Sequence, residues 1–325
     1  MKLKNKKNLI AIITTLIFLI WLIKSIEKET VIQLINDVEP VWIAVGIGFY
    51  CLVYLAKVAR WKILLPRSSS SLKELLGITG IHNLAVRAFP NPTGELVFLH
   101  QAKRKNIPYS DSLAALTINR ALDFVIIGFF FLIGATPFLA SLTKPILLLL
   151  LASILFISGG IGFIIFVSST PKTAQKIINK IFSSRMLARF QKSVEQMTSQ
   201  FLTAFGNLKN WTTYFKTVLL SCIIWLSMFV SYFFFLRGFA IELDFKTIML
   251  GGAVQIFANT IPNIGGLGIM EAGWAAGLGI AGIEKSKAIA GALAVDLMTL
   301  AGTIIFGLIG FLIQRGEFFA SDKIK

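Results

Sequence analysis

Ile261-Pro262-Asn263-Ile264-Gly265-Gly266-Leu267-Gly268 interrupts an apolar stretch, Thr247–Gly282, that would otherwise read as one long membrane helix. Proline removes a backbone donor and glycine is a poor helix former, so a helix entering this run must stop. Leu75–His100 is broken the same way by Phe89-Pro90-Asn91-Pro92-Thr93-Gly94. Each half of these stretches is about 11 to 15 residues, roughly 16 to 23 Å of helix, whereas a hydrocarbon core of about 30 Å needs about 20 residues. Both stretches therefore predict re-entrant helical hairpins. Broken backbone at that depth is tolerated only where protein or a wet cavity satisfies it, which turns both breaks toward the interior of a bundle.

The rest of the chain agrees with a membrane setting. Of 325 residues, 55% are hydrophobic and only 15% charged, against roughly 25% charged in a soluble domain. Six stretches predict full spans: Asn8–Ile23, Val41–Leu65, Ser112–Thr136, Pro145–Ser168, Thr213–Leu236 and Lys287–Ile313. The first follows Lys2, Lys4, Lys6 and Lys7, but Trp21-Leu22-Ile23-Lys24 offers no small-residue cleavage site, so it reads as a retained anchor. The longest polar stretch, about Ser168 to Thr213, is too short for a soluble core. The expected fold is an all-α polytopic membrane protein, a single integral membrane domain over 1–325 with about six full transmembrane helices plus two re-entrant hairpins.

The net charge of +16 and pI of 9.9 would in a soluble protein raise the question of nucleic acid. No DNA- or RNA-reading motif is present, and the bases cluster beside apolar spans, where they orient the chain. With both hairpins returning to their own side, cytoplasmic segments hold 23 basic residues and outer segments seven, so both termini are expected in the cytoplasm of a cell (plasma) membrane protein. Counting each hairpin as two crossings leaves the other loops where they are. Helix length is what favours re-entry.

An internal repeat runs through the chain. Pro-Asn-x-x-Gly occurs at Pro90–Gly94 and Pro262–Gly266, offset by 172, and an intramembrane Asp follows each, in Ala121-Leu122-Asp123 and Ala294-Val295-Asp296, offset by 173. The spans starting at Val41 and Thr213 share the first offset. Half-repeats of about 8–140 and 145–315 each hold three crossings and a hairpin, and an odd number of crossings inverts the second half. Inverted repeats with discontinuous helices near the midplane are the build of secondary transporters, in which half-helix ends hold ions or polar groups. An insert at about 170–212, basic with interspersed apolar residues, reads either as an interfacial helix on the anionic leaflet or as a plain amphipathic linker.

Six ionisable residues remain at membrane depth: Arg87, Glu95, Arg120, Asp123, Glu271 and Asp296. Such residues are costly there and are functional candidates by default. Arg120 with Asp123, three apart on one helix, and Arg87 with Glu95, across the first break, could instead be structural pairs. Glu271 and Asp296 have no nearby base in sequence. Arg87 and Arg120, with the break residues Asn91, Asn263, Gly265 and Gly266, suit a lipid headgroup, since a guanidinium fork fits phosphate. The carboxylates of Glu95, Asp123, Glu271 and Asp296 suit a coupling proton or ion. His82 and His100 belong to no compact metal motif and read as packing or interface residues. Cys51 and Cys222 lie in apolar runs and read as small hydrophobes. No nucleophile elbow, nucleotide loop or metal-ligand spacing appears, so no cofactor and no metal are expected. Nine glycines between Gly251 and Gly282 fit close helix packing.

Three stretches together resemble the membrane region of the lysylphosphatidylglycerol synthetase/flippase family: Asn119-Arg120-x-x-Asp123, Pro90-x-x-x-Gly94-Glu95, and Ile261 through Gly268-Ile269-Met270-Glu271-Ala272. The similarity runs over roughly residues 8–315. It implies a polytopic bacterial or archaeal protein that moves polar lipids between leaflets, in the best-known members aminoacylated phosphatidylglycerol. The sequence ends about a dozen residues past its last span, so the soluble aminoacyl-transferase domain of those members is not expected here, and the cargo stays open. The leading reading is a flippase for a polar or anionic, including aminoacylated, lipid, with membrane lipids as partners, no nucleic acid, and a homo-oligomer compatible with the sequence. The alternatives are a membrane-embedded lipid-modifying transferase, for which no donor-binding motif or large soluble loop is present, and a non-transporting accessory subunit of an envelope lipid pathway.

Overall fold

A computed structural model describes residues 38–65, 68–89, 93–141, 144–170, 210–261 and 268–321, with Asn263, Gly266 and isolated positions between 172 and 202. Nine helices make up the described chain: α1 Pro40–Leu64, α2 Leu72–Ala88, α3 Thr93–Arg104, α4 Tyr109–Ala135, α5 Lys144–Ser169, α6 Trp211–Gly238, α7 Phe245–Ala258, α8 Ile269–Ile280 and α9 Lys285–Ser321. Among the described residues there is no strand. Four helices, α1, α4, α6 and α9, are long and apolar enough to cross a membrane. They coincide with four of the six predicted spans. A fifth, Pro145–Ser168, lies within the 26-residue α5. The first predicted span and most of the insert at 170–212 lie outside the described residues. Multiple long apolar helices make this a multi-pass integral membrane protein.

Local chemistry sets the helix ends. α1 begins at Pro40, a residue whose missing amide costs nothing in a first turn. α2 opens with a capping box: the Glu74 amide donates to Ser71 Oγ at 3.2 Å and the Ser71 amide to Glu74 Oε2 at 2.7 Å. The other Glu74 oxygen accepts from Lys105 Nζ at 2.8 Å, just beyond the end of α3, which fastens the base of the first hairpin. The Lys105 ammonium holds the Glu74 carboxyl below the usual carboxylate range. Asn210 caps α6 and Asp244 caps α7. The broken stretches are pairs of short helices, α2 and α3 with 17 and 12 residues and α7 and α8 with 14 and 12, and the two members of each pair pack on each other.

Helices of the first half pack on helices of the second. α1 lies along α6, where the Ser231 hydroxyl donates to the Gly46 carbonyl at 3.0 Å and Trp42 stacks on Phe234 at 5.6 Å. α2 packs on α9 and α7 on α4, so the first arm of each broken stretch lies against a long helix of the opposite half. Small residues permit this. A Cβ on Gly80 would stand 2.1 Å from the Phe306 carbonyl oxygen, and one on Gly134 would stand 2.7 Å from the Leu250 amide nitrogen. Tyr50 ties α1 to α9 by donating to the Thr299 carbonyl at 3.1 Å. Leucine and isoleucine side chains stand exposed along the outside of α9, among them Leu297, Ile305, Leu308 and Leu312, as a surface facing acyl chains requires.

The α2–α9 contact is backbone against backbone, so Gly80→Ala is expected to force the helices apart and cost about 1–3 kcal/mol. Gly48→Ala, where nothing lies within 4 Å, is expected to leave stability unchanged. Thermal unfolding of the two variants in detergent reads the difference.

Candidate functional site

The ionisable residues at depth form two clusters, one beside each break. In the first, Arg60 of α1 grips Asp123 of α4 with both guanidinium nitrogens, NH1 to Oδ1 at 2.7 Å and NH2 to Oδ2 at 3.4 Å. From α6, Trp225 Nε1 donates to Asp123 Oδ1 at 3.0 Å, and Ser221 Oγ accepts from Arg60 at 2.8 Å. Three helices are thereby joined at one carboxylate. Beside it, Glu95, in the first turn of α3, accepts from Arg120 of α4 and from His82 Nε2 of α2, the latter at 2.9 Å. His82 packs against the side of the Trp61–Phe98 pair, whose rings stack on each other at 4.1 Å. Lys57 Nζ reaches Asn83 Oδ1 at 3.4 Å.

The second cluster crosses between the hairpins. Arg87, at the tip of α2, donates to Asp296 Oδ1 of α9 at 2.5 Å and to Met270 Sδ of α8 at 2.8 Å. Glu271 follows Met270, is 3% exposed, and its Oε2 has no hydrogen-bond partner among the described residues. The backbone here is shaped by Asn263, which is buried. Its Oδ1 accepts from the Gly266 amide at 2.6 Å, while its Nδ2 donates to the Ile261 carbonyl at 2.6 Å and to Asn259 Oδ1 at 3.1 Å. Gly266 and Gly268 both have φ of +77°, a conformation that a residue with a Cβ resists. A Cβ on Gly266 would also meet Met270 Sδ at 2.3 Å and the Arg87 guanidinium at 3.3 Å, so the glycine leaves room for that side chain to pass.

Between the breaks lies a cavity of about 310 Å³. Glu95, Arg120 and Asp123 line it from the first half, and Trp225, Asn259 and Thr260 from the second. Arg120 is nearly half exposed within it, whereas Arg60 behind Asp123 is buried. The cavity is at the lower end of the roughly 300–1,000 Å³ of small-molecule sites. A polar headgroup fits in it, and the acyl chains of a lipid do not. Its wall offers a guanidinium with donors to spare and carboxylates already neutralised, so an anion is the better-matched guest. Among the described residues no group of three His, Cys, Asp or Glu is placed to hold a metal ion.

Two pairings suggested by sequence proximity are not made. Arg120 bonds Glu95 rather than Asp123, and Arg87 bonds Asp296 rather than Glu95. Helix neighbours three apart share a face, but partners arriving from other helices claim each group first. Asp296 has a base after all, 209 residues away in sequence. Lys57, Arg60 and Lys62, counted with a cytoplasmic segment, belong to α1, and Arg60 is 4% exposed. The excess of four carboxylates over two arginines at depth was the one signal that a further base had to exist. His82 packs as read from sequence and in addition holds Glu95. Asn119 is buried, and among the described residues neither of its amide atoms has a partner. Asn91 and Gly265 lie outside the described residues.

Removing Arg60 strands a buried carboxylate, so Arg60→Ala is expected to destabilise by about 3–5 kcal/mol, while Arg60→Met combined with Asp123→Leu recovers most of the loss. Unfolding of the single and double variants in detergent measures both. Equal losses would show that the pair is not what holds α1, α4 and α6 together.

The family model described as "Lysylphosphatidylglycerol synthase TM region" matches residues 8–307. No curated protein and no solved structure matches the chain.

Proposed function

The chain belongs to the lysylphosphatidylglycerol synthase transmembrane-region family, and from that premise we propose that it is a flippase, carrying a polar or anionic lipid headgroup between leaflets through the cavity between the two breaks. The carrying observation is that cavity: headgroup-sized, beside two broken helices, with Arg120 reaching into it. Arg120 takes the phosphate, and the acyl chains stay outside among the apolar helix faces. An aminoacylated headgroup adds an ammonium, which Glu95 suits once Arg120 turns from it to the phosphate.

The packing supports an inverted repeat beneath this activity. α2 on α9 and α7 on α4 are the same contact with the halves exchanged, and α1 on α6 joins equivalent helices. Glu95 and Glu271 each stand third in the second arm of their hairpin. On this reading α2–α3 enters from the cytoplasm and α7–α8 from outside, both termini are cytoplasmic, and the cavity opens alternately as one hairpin rocks against the other. Arg87, Asn263 and Gly266 form the joint between the tips, and the carboxylates of Glu95, Asp123, Glu271 and Asp296 couple its movement to an ion.

The test is leaflet exchange in proteoliposomes of labelled anionic and aminoacylated phospholipids. Wild type is expected to exchange them, and Arg120→Ala to do so about ten- to a hundredfold more slowly, the loss of a charge-assisted hydrogen bond of roughly 1.5–3 kcal/mol. Folded protein that exchanges none of these lipids sinks the proposal and turns attention to a lipid-modifying transferase or an accessory subunit.

A further inference from the structure

The charges at the second break do not balance. Glu95, Asp123 and Asp296 each bond a guanidinium, and among the described residues Glu271 bonds none. The Glu271 carboxyl faces that of Asp296, from α9, and the guanidinium of Arg87, from α2. Arg87 makes its ion pair with Asp296. α7 packs along α8 but carries a single ionisable residue, Lys246, at its other end. Tyr50 of α1 and Tyr232 of α6 lie within electrostatic reach of the Arg87–Asp296 pair. One fixed positive charge therefore stands among two carboxyls.

With both carboxyls ionised the cluster would carry a net negative charge at membrane depth, where uncompensated charge is costly. Carboxyls that share a site relieve this by keeping one proton between them. A metal cation would relieve it only with several oxygen ligands around it. Among the described residues Glu271 Oε2 accepts no hydrogen bond, and a proton placed between it and the neighbouring Asp296 carboxyl needs no further ligand.

We propose that Glu271 is a proton-binding site, sharing with Asp296 one proton that is held while Arg87 joins the two hairpin tips and released when the break hydrates. The proton makes the cluster neutral in the closed, dry arrangement. Its loss charges a carboxyl that only water can then stabilise, so the open arrangement is the deprotonated one. Falling pH favours the closed arrangement, and rising pH favours the open one. Because Arg87 belongs to the first hairpin and Glu271 to the second, proton binding and closure of the tips are one equilibrium. That this equilibrium drives lipid movement rests on the flippase reading, whereas the proton site itself does not.

Infrared spectroscopy of the reconstituted full chain reads the carbonyl band of a protonated carboxyl directly. At neutral pH the wild-type band is expected to vanish in Glu271→Gln, which replaces the protonated acid by a neutral isostere, and to persist in Glu95→Gln. Raising the pH is expected to remove it from wild type. In Asp296→Asn it is expected to be lost as well, because Glu271 then ionises against Arg87. A wild-type spectrum that Glu271→Gln leaves unchanged overturns the proposal. Lipid exchange across a pH step in the same vesicles separates the two readings. A band that behaves as expected without any exchange keeps the proton site and removes the flippase. Exchange whose pH response is the same in wild type and Glu271→Gln keeps the flippase and removes the proton.

Discussion

A helix that stops inside a bilayer leaves its last carbonyls and the next helix's first amides with no water to bond, and the rest of this structure is organised around meeting that requirement. At the second break one side chain does much of the work, since Asn263 accepts from the Gly266 amide and donates to carbonyl and amide oxygens behind it. Two glycines with positive φ then turn the chain so that α8 can begin, with the Met270 and Ala272 amides donating to the Gly266 and Gly268 carbonyls. Such a turn cannot face lipid. It has to be enclosed by other helices, which is why the long helices α1, α4, α6 and α9 pack around the two broken pairs.

Enclosure brings a second requirement, because the groups at the breaks are charged. Each buried guanidinium needs a carboxylate, and none of the pairs joins near neighbours in sequence. Arg60 crosses from α1 to α4, and Arg87 from α2 to α9. The pairs hold together helices that the connecting segments leave independent. They also differ in kind: Arg60 is buried behind Asp123, which further partners hold in place, Arg120 opens into the cavity, and Arg87 bridges two segments that end in breaks. A fixed pair, an open one and a bridging one suit a scaffold, a binding group and a moving joint.

Glycine contacts decide which helices can move relative to one another. Where α2 meets α9, backbone comes against backbone at Gly80 and Gly310, and the side chains of Ile313 and Leu84 fill the space beside Gly77 and Gly307. Where the tip of α2 meets α8 the contact is the long side chain of Arg87 on Met270, both flexible. Motion in the proposed cycle belongs at the second kind of contact.

The sequence by itself determined where helices run and where they break. Length, hydropathy and the Pro-Gly runs are local properties, and backbone hydrogen bonding in a bilayer leaves few alternatives to a helix or a satisfied break, so α1, α4, α6 and α9 and the interruptions at 89–94 and 261–268 were legible, as was the family. It also identified Asp123, Asp296, Glu95, Glu271, Arg87 and Arg120 as residues that need an explanation. Which of them meet was decided by tertiary structure alone. Three residues on one helix, as between Arg120 and Asp123, bring two groups to the same face but do not exclude a third from a neighbouring helix. Arg60 escaped notice because four residues from the end of α1 it reads as belonging to the loop, and only the packing of α1 along α6 brings it within reach of Asp123 on α4. Side-chain pairing at depth depends on the positions of whole helices, and those are set by the glycine contacts and ion pairs of the assembled bundle.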